Sequence, residues 1–290
     1  MRVGCTIKRA LMRICKITIL IVLLCSSAFG APSQEISPIT QEAKALFAIE
    51  SIRLQNTQGR FYNIYIAIPK HKKDKTSVFY MLDGNAFFPL LLNEIAKKES
   101  TQPFQSLPII VGIGHDSTLA FDRASRTYDY TPLLSKELRD SFSGGGGINI
   151  FLDFITQKVQ PLIHKRFGIP HKELLFGHSF GGLFVLYTLL HKPRSFSHYV
   201  CASPSLWWGE GKFITLPLEI THYPDSIIST RGSLEANSQR QAKYKIEEIV
   251  QALQKSAPNP KSIVFVELMG QNHGSSIPYA LNLGLDTLMQ

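Results

Sequence analysis

The stretch Leu174-Leu175-Phe176-Gly177-His178-Ser179-Phe180-Gly181-Gly182-Leu183 decides how this chain folds. A short apolar run with the character of a buried strand leads into a Gly-x-Ser-x-Gly turn. A second apolar run, Leu183 to Leu190, follows with the composition of a helix. Strand, tight turn and helix in that order force the serine into a strained backbone conformation where strand and helix nearly touch. Glycine at 177, 181 and 182 is what such closeness requires. The helix then aims unpaired N–H groups and its positive dipole end at anything bound beside the serine. Ser179 is therefore a candidate nucleophile, and the Phe180 N–H a candidate oxyanion donor. Without its flanks the pattern would be a turn that happens to contain serine.

Outward from this turn, short apolar runs recur: Val78–Leu82, Ile109–Ile113, Tyr199–Cys201, Ile227–Ile228 and Ile263–Val266. Helix-like segments over 87–97, 149–167, 180–191, 237–255 and 276–288 separate most of them. Continuous apolar strands alternating with helices predict an α/β domain, with a mostly parallel sheet covered on both faces. Phe47–Gln55 and Phe61–Pro69 are close together and β-rich, and predict an antiparallel hairpin at the N-terminal edge. No internal repeat or linker interrupts residues 31–290, which read as a single domain. Ligands of such sheets bind at the carboxyl ends of the strands. Asp83-Gly84-Asn85 falls there, and the Asn85 N–H is the expected second oxyanion donor. His115 is a candidate substrate contact. Ser141–Gly147 reads as a flexible loop that either flanks the site or is a plain surface connection.

A serine hydroxyl needs a base within reach, and in this arrangement the chain order is nucleophile, acid, histidine. His273, in Gly270-Gln-Asn-His-Gly274 after the last strand, occupies the required place; His222 lies in a Pro-bounded loop. His178 adjoins the serine with its side chain expected to point away. The acid should follow the Ile227–Thr230 strand. Glu235 is the choice, ahead of Asp225 and Glu210, although a helix-start role would explain Glu235 equally well. The histidines show no metal-ligand spacing, and no phosphate loop or dinucleotide fingerprint occurs, so neither a metal nor a cofactor is expected.

Residues 1–30 have the form of an export signal. A basic segment leads into Ile17–Cys25, and Ala28-Phe29-Gly30 supplies small residues before a cleavage point at Ala31. The apolar stretch is short for a bilayer span, and an uncleaved anchor is the alternative. The formal net charge is +9. Arg2, Lys8, Arg9, Arg13 and Lys16 supply five of those charges without an acid among them, so +4 remains beyond residue 30. That excess comes with no nucleic-acid motif and fits a small anionic substrate or a solvated surface. Cys201 alone of the four cysteines lies beyond the signal, and reads as a small core residue.

Leu82-Asp-Gly-Asn-Ala86, Arg126-Thr-Tyr-Asp-Tyr-Thr-Pro132, Gly177–Phe184, Ala202-Ser-Pro-Ser205 and Asn272-His-Gly274 together resemble the esterase branch of the α/β hydrolases. Within it they are most similar to the periplasmic esterases that open trilactone siderophores such as enterobactin and salmochelin. The likeness runs from about residue 45 to 288. It implies the α/β-hydrolase fold, Ser179 and His273 as catalytic residues, and Arg126 as a contact to negative groups of the substrate. It leaves Glu235 open, because some members of this group work with a serine–histidine pair alone. It assigns nothing to Trp207-Trp208, which either stack on an aromatic substrate or pack. Another carboxylesterase or an acyltransferase of the same branch, acting on a different ester or thioester, is the alternative activity.

Overall fold

A computed structural model describes residues 33–71, 76–101, 103–218, 220–235 and 242–289. The expected export signal lies outside the described residues. Among them, no helix is long and apolar enough to cross a membrane.

Eight strands form one sheet: β1 (Phe47–Gln55), β2 (Phe61–Pro69), β3 (Ser77–Met81), β4 (Ile109–His115), β5 (Lys172–His178), β6 (His198–Ala202), β7 (Ser226–Gly232) and β8 (Ile263–Leu268). Their order is β1-β2-β4-β3-β5-β6-β7-β8. The hairpin expected at the edge is present, with Phe47 opposite Pro69 and Gln55 opposite Phe61. Asn56 builds its turn by accepting the Gln58 and Arg60 N–H groups on its side-chain oxygen. β2 then pairs antiparallel with β4, and every further pairing is parallel.

Successive side chains of a strand point to opposite faces, so each central strand feeds two cores. From β3, Val78 and Tyr80 enter one apolar cluster and Phe79 and Met81 the other. The first cluster is closed by α4 (Ile148–Phe154), a π-helical turn (Ile155–Val159), α5 (Gln160–Phe167), α6 (Phe180–His191) and α7 (Ile246–Ser256). The second is closed by α1 (Gln41–Leu46), α2 (Gly84–Glu99) and α8 (Ile277–Met289). Cys201 sits fully inside the first cluster, where burial pushes its thiol up to about 12. It is a core residue, as expected.

Two expectations about helices change. The helix placed over 237–255 is described only as Ile246–Ser256, where the Glu248 carboxylate accepts the Lys245 N–H and fixes the start. Arg126, outside every helix-like segment named above, lies on a further helix, α3 (Arg123–Tyr130), whose N-cap Asp122 accepts the Ser125 N–H at 2.9 Å. Its polar, charged composition hides it from an apolar-periodicity reading.

The serine turn explains its glycines in atomic terms. A Cβ on Gly177 would stand 2.2 Å from the Gly181 carbonyl oxygen, and one on Gly182 would stand 2.5 Å from that of Ala202. Both obstacles are backbone, so neither can swing aside. Gly177→Ala and Gly182→Ala should each destabilise the protein by about 2 kcal/mol or more. Gly274→Ala, whose Cβ would meet nothing nearer than 3.8 Å, should stay within about 0.5 kcal/mol of the parent. Urea denaturation of the three variants checks this; equal midpoints for all would contradict it.

Candidate active site

β5 ends at His178 and α6 begins at Phe180, leaving Ser179 between them at φ 61°, ψ −118°. Strand and helix cannot be joined this tightly with Ser179 in an ordinary conformation, and the turn lifts its side chain onto the carboxyl edge of the sheet. Its backbone is held on both sides: Ser179 N donates to Ala202 O and Ser205 N donates to Ser179 O, each at 3.0 Å. The Leu183 N–H makes the first intrahelical bond, to Ser179 O. The N–H groups of Phe180, Gly181 and Gly182 thus precede the helical ladder and carry its positive end. Ser179 Oγ lies 3.0 Å from Ser205 Oγ, and no hydrogen bond joins it to His273 in this structure.

The histidine and the acid come from the loops after β8 and β7. His273 Nδ1 is 2.6 Å from Glu235 Oε2. Glu235 Oε1 accepts the Ser203 hydroxyl at 2.8 Å and the Gly232 N–H at 2.7 Å. Burial alone would raise this carboxyl. Its bonds to His273, Gly232 and Ser203 outweigh that and hold it below its ordinary value of 4.5. With Nδ1–H directed at a carboxylate, the free ring nitrogen of His273 is Nε2, the one suited to take a proton. Half of the His273 side chain is exposed (49%), whereas Glu235 is mostly covered (14%). Asp225 and Glu210 have no part in this: Asp225 stands at the amino end of β7, and Glu210 pairs with Lys212 at 2.7 Å.

His178, whose side chain was expected to point away from the serine, packs against the candidate base His273. Its Nε2 donates to the His273 carbonyl at 2.8 Å, and the two ring centroids are 4.5 Å apart. Burial, with the adjoining His273 and Arg126, drives its pKa well below 6.5. Ser205 and His178 are the residues that sequence reasoning missed. Their positions at the ends of the neighbouring strands β5 and β6 give them their partners.

The other predicted residues gather around α2. Asp83, at φ 51°, ψ 42°, turns the chain from β3 into the helix. Its carboxylate takes two parallel bonds from Arg126, Nε to Oδ1 and Nη2 to Oδ2, both at 2.9 Å. The guanidinium expected to face an anionic substrate is therefore engaged by a buried carboxylate of the protein itself. Asn85 buries its side chain, whose Nδ2 lies within bonding distance of the carbonyls of His115, Ser117 and Leu119. Only its backbone N–H, at the start of α2, is left to serve a ligand. His115 is buried and bound to Asp129 at 3.0 Å, which removes it as a substrate contact.

On the far side of Phe180, Trp208 packs against its ring (centroids 5.4 Å) and donates Nε1–H to Pro132 O. Trp207 is half-buried, 5.3 Å from Phe180. The Phe142–Gly145 loop, Leu133 and Trp208 line a cavity of about 220 Å³. The glycine loop reaches Phe180 through Trp207 and Trp208, which pack between them. Among the described residues no group of three or more His, Cys, Asp or Glu side chains is placed to hold a metal ion.

Comparison with known proteins places the chain among esterases. Residues 55–267 match the family described as "Putative esterase". The siderophore triacetylfusarinine C esterase of Aspergillus fumigatus is 30% identical over 248 residues, covering 80% of this chain and 84% of its own. The ferri-bacillibactin esterase BesA of Bacillus subtilis is 29% identical over 279 residues, covering 90% and 91%. The solved enterobactin and salmochelin hydrolase IroE superposes with a TM-score of 0.66 at 26% identity, covering 86% of this chain and 99% of its own. The sheet order, the serine turn and these likenesses define an α/β hydrolase. The chain belongs to the esterase family matched over 55–267 and is a carboxylic ester hydrolase.

The buried His178 gives the site a pH signature. It stays neutral in the folded state, while the unfolded imidazole takes up a proton below about 6.5. Its contribution to stability is therefore present above 6.5 and is lost as pH falls, with a slope approaching ~1.4 kcal/mol per unit. Glu235, lowered below 4.5, adds its own loss only at more acid pH. His178→Gln, which still donates to the His273 carbonyl, should flatten the curve just below 6.5. Denaturation series at several pH values measure this, and an unchanged slope in the variant would contradict it.

Proposed function

We propose that this protein is an exported serine esterase that hydrolyses the lactone bonds of a trilactone catecholate siderophore. The observation that carries the reading is the strained Ser179 turn at the carboxyl edge of the sheet, with the bonded His273–Glu235 pair on the loops after β8 and β7. The siderophore esters named for its relatives supply the substrate class. The basic and then apolar N-terminus supports export to the periplasm.

In this reading Ser179 Oγ leaves Ser205, attacks the ester carbonyl and passes its proton to His273 Nε2. The negative charge that develops on the carbonyl oxygen is met by the Phe180 N–H and, from the other loop, the Asn85 N–H. Fixed donors of this kind are each worth ~10²–10³ in turnover, because they need no reorganisation as charge appears. His273 then protonates the departing alkoxide, and Glu235 stabilises the imidazolium and holds its tautomer. Water, activated by the same histidine, releases the acyl group and restores Ser179. Opening the macrocycle unties arms that had been preorganised around iron, which weakens the complex. The cavity beside Trp208, lined by Leu133, Phe142 and Arg139 among others, offers aromatic surface and one cation to such a substrate.

Ser179→Ala and His273→Ala should each lower kcat/KM on a simple p-nitrophenyl ester by several orders of magnitude, with the double variant little worse. Fully additive losses would count against the pair. Glu235→Gln should lose roughly 10³–10⁴ in kcat, as loss of the orienting acid does elsewhere; a loss below about tenfold would leave a serine–histidine dyad. For the substrate, purified protein is incubated with enterobactin-type trilactones and small esters, and the products are weighed by mass spectrometry. Stepwise addition of water to the trilactone is expected. No reaction with it beside active hydrolysis of small esters would sink the siderophore assignment alone.

A further inference from the structure

We propose that Arg126 is a positioning residue for the oxyanion site: its paired bonds to Asp83 keep the first N–H groups of α2 uncapped and neutralise a carboxylate buried between the two donor loops. The inference rests on the serine-esterase reading above.

An aspartate in the N-cap position ordinarily turns its carboxylate onto the N–H groups of the second or third helical residue. Asp83 occupies the N-cap of α2 and makes no such bond. Its carboxylate is drawn away by the Arg126 fork, with side chains only 1% and 14% exposed. The Asp83 N–H is also committed, donating to the Tyr130 hydroxyl at 3.0 Å. What α2 can still offer a ligand is the N–H of Gly84 and of Asn85, since the helical bonds begin with Ala86 and Phe87 donating to Asp83 O.

The same ion pair touches the other donor loop. A Cβ on Gly181 would lie 3.6 Å from Asp83 Oδ2, so the carboxylate rests against the first turn of α6. The Arg126 guanidinium stands 5.8 Å from the Phe180 ring centroid. An unpaired carboxylate there would oppose any negative charge forming on a carbonyl oxygen held by Phe180 and Asn85. Burial disfavours the arginine's charge, and the Asp83 carboxylate beside it more than restores it. Removing Arg126 frees Asp83 to cap α2 and places a bare negative charge beside the reacting oxygen.

The test compares wild type, Arg126→Gln, Arg126→Lys and Asp83→Asn/Arg126→Gln on a small neutral ester, with active sites counted from the p-nitrophenol burst. Arg126→Gln should lose about 10² in kcat per active site at nearly constant KM. Its Ki for a boronic acid, whose tetrahedral adduct occupies the same donors, should rise in proportion. Arg126→Lys keeps the charge without the fork and should fall between, which serves if the glutamine variant does not fold. The double variant, with the charge gone, should recover at least tenfold over Arg126→Gln. A packing role alone would lower Tm and the burst amplitude while sparing kcat per site. That result, or a KM increase confined to an anionic substrate, would overturn the inference. A wild type silent on every ester would overturn the serine-esterase reading and this inference with it.

Discussion

Ser179 holds its backbone at φ 61°, ψ −118°, a conformation a residue with a side chain adopts only under constraint and at a cost of about 1–3 kcal/mol. Three things impose it. The Gly177 and Gly182 backbones approach others too closely for a Cβ. The Ser179 N–H is tied to Ala202, the last residue of β6, and its carbonyl to Ser205 just beyond. The helix that follows is buried through most of its length, from Gly181 to Leu189. The strain is thus carried by the packing of α6 into the sheet, and the same packing fixes where the Phe180 N–H points.

A second constraint links the loops that bring the base. Glu235 accepts three bonds, from His273, Ser203 and Gly232, and these come from three separate strand ends. The loops also interlock through backbone, with Leu234 N donating to Gln271 O, and a Cβ on Gly232 would collide with that same carbonyl at 2.3 Å. His178 completes the frame by anchoring the His273 carbonyl from the strand that carries the serine. The imidazole is therefore oriented from both sides while its outer half stays open to solvent and substrate.

Much of this was legible in the sequence because local chemistry dictates it. The turn needs glycines at fixed offsets, buried strands need apolar runs, and the order serine, acid, histidine follows the strand order of the sheet. Other features arise only from contact across long separations. Arg126 and Asp83 are 43 positions apart, and nothing in either segment announces the pair. The family resemblance implies Arg126 as a substrate contact, and the sequence does not show that Asp83 engages its fork. His115 sat at a strand end, as expected, but Asp129 closed over it. Glu235 reads equally as an acid or a helix-start residue in sequence, and the three donors that converge on it come from separate strand ends that no local pattern announces. The polar α3 escaped notice because its support comes from Asp122 and from the core around Tyr130, not from an apolar stripe.

Labelling with a fluorophosphonate, followed by intact mass and peptide mapping, tests the central claim most directly, since only an activated serine attacks such a reagent rapidly. A single adduct is expected on the peptide bearing Ser179, absent from Ser179→Ala and formed far more slowly by His273→Ala. An adduct on another residue, or an unmodified Ser179 in folded wild-type protein, would contradict it.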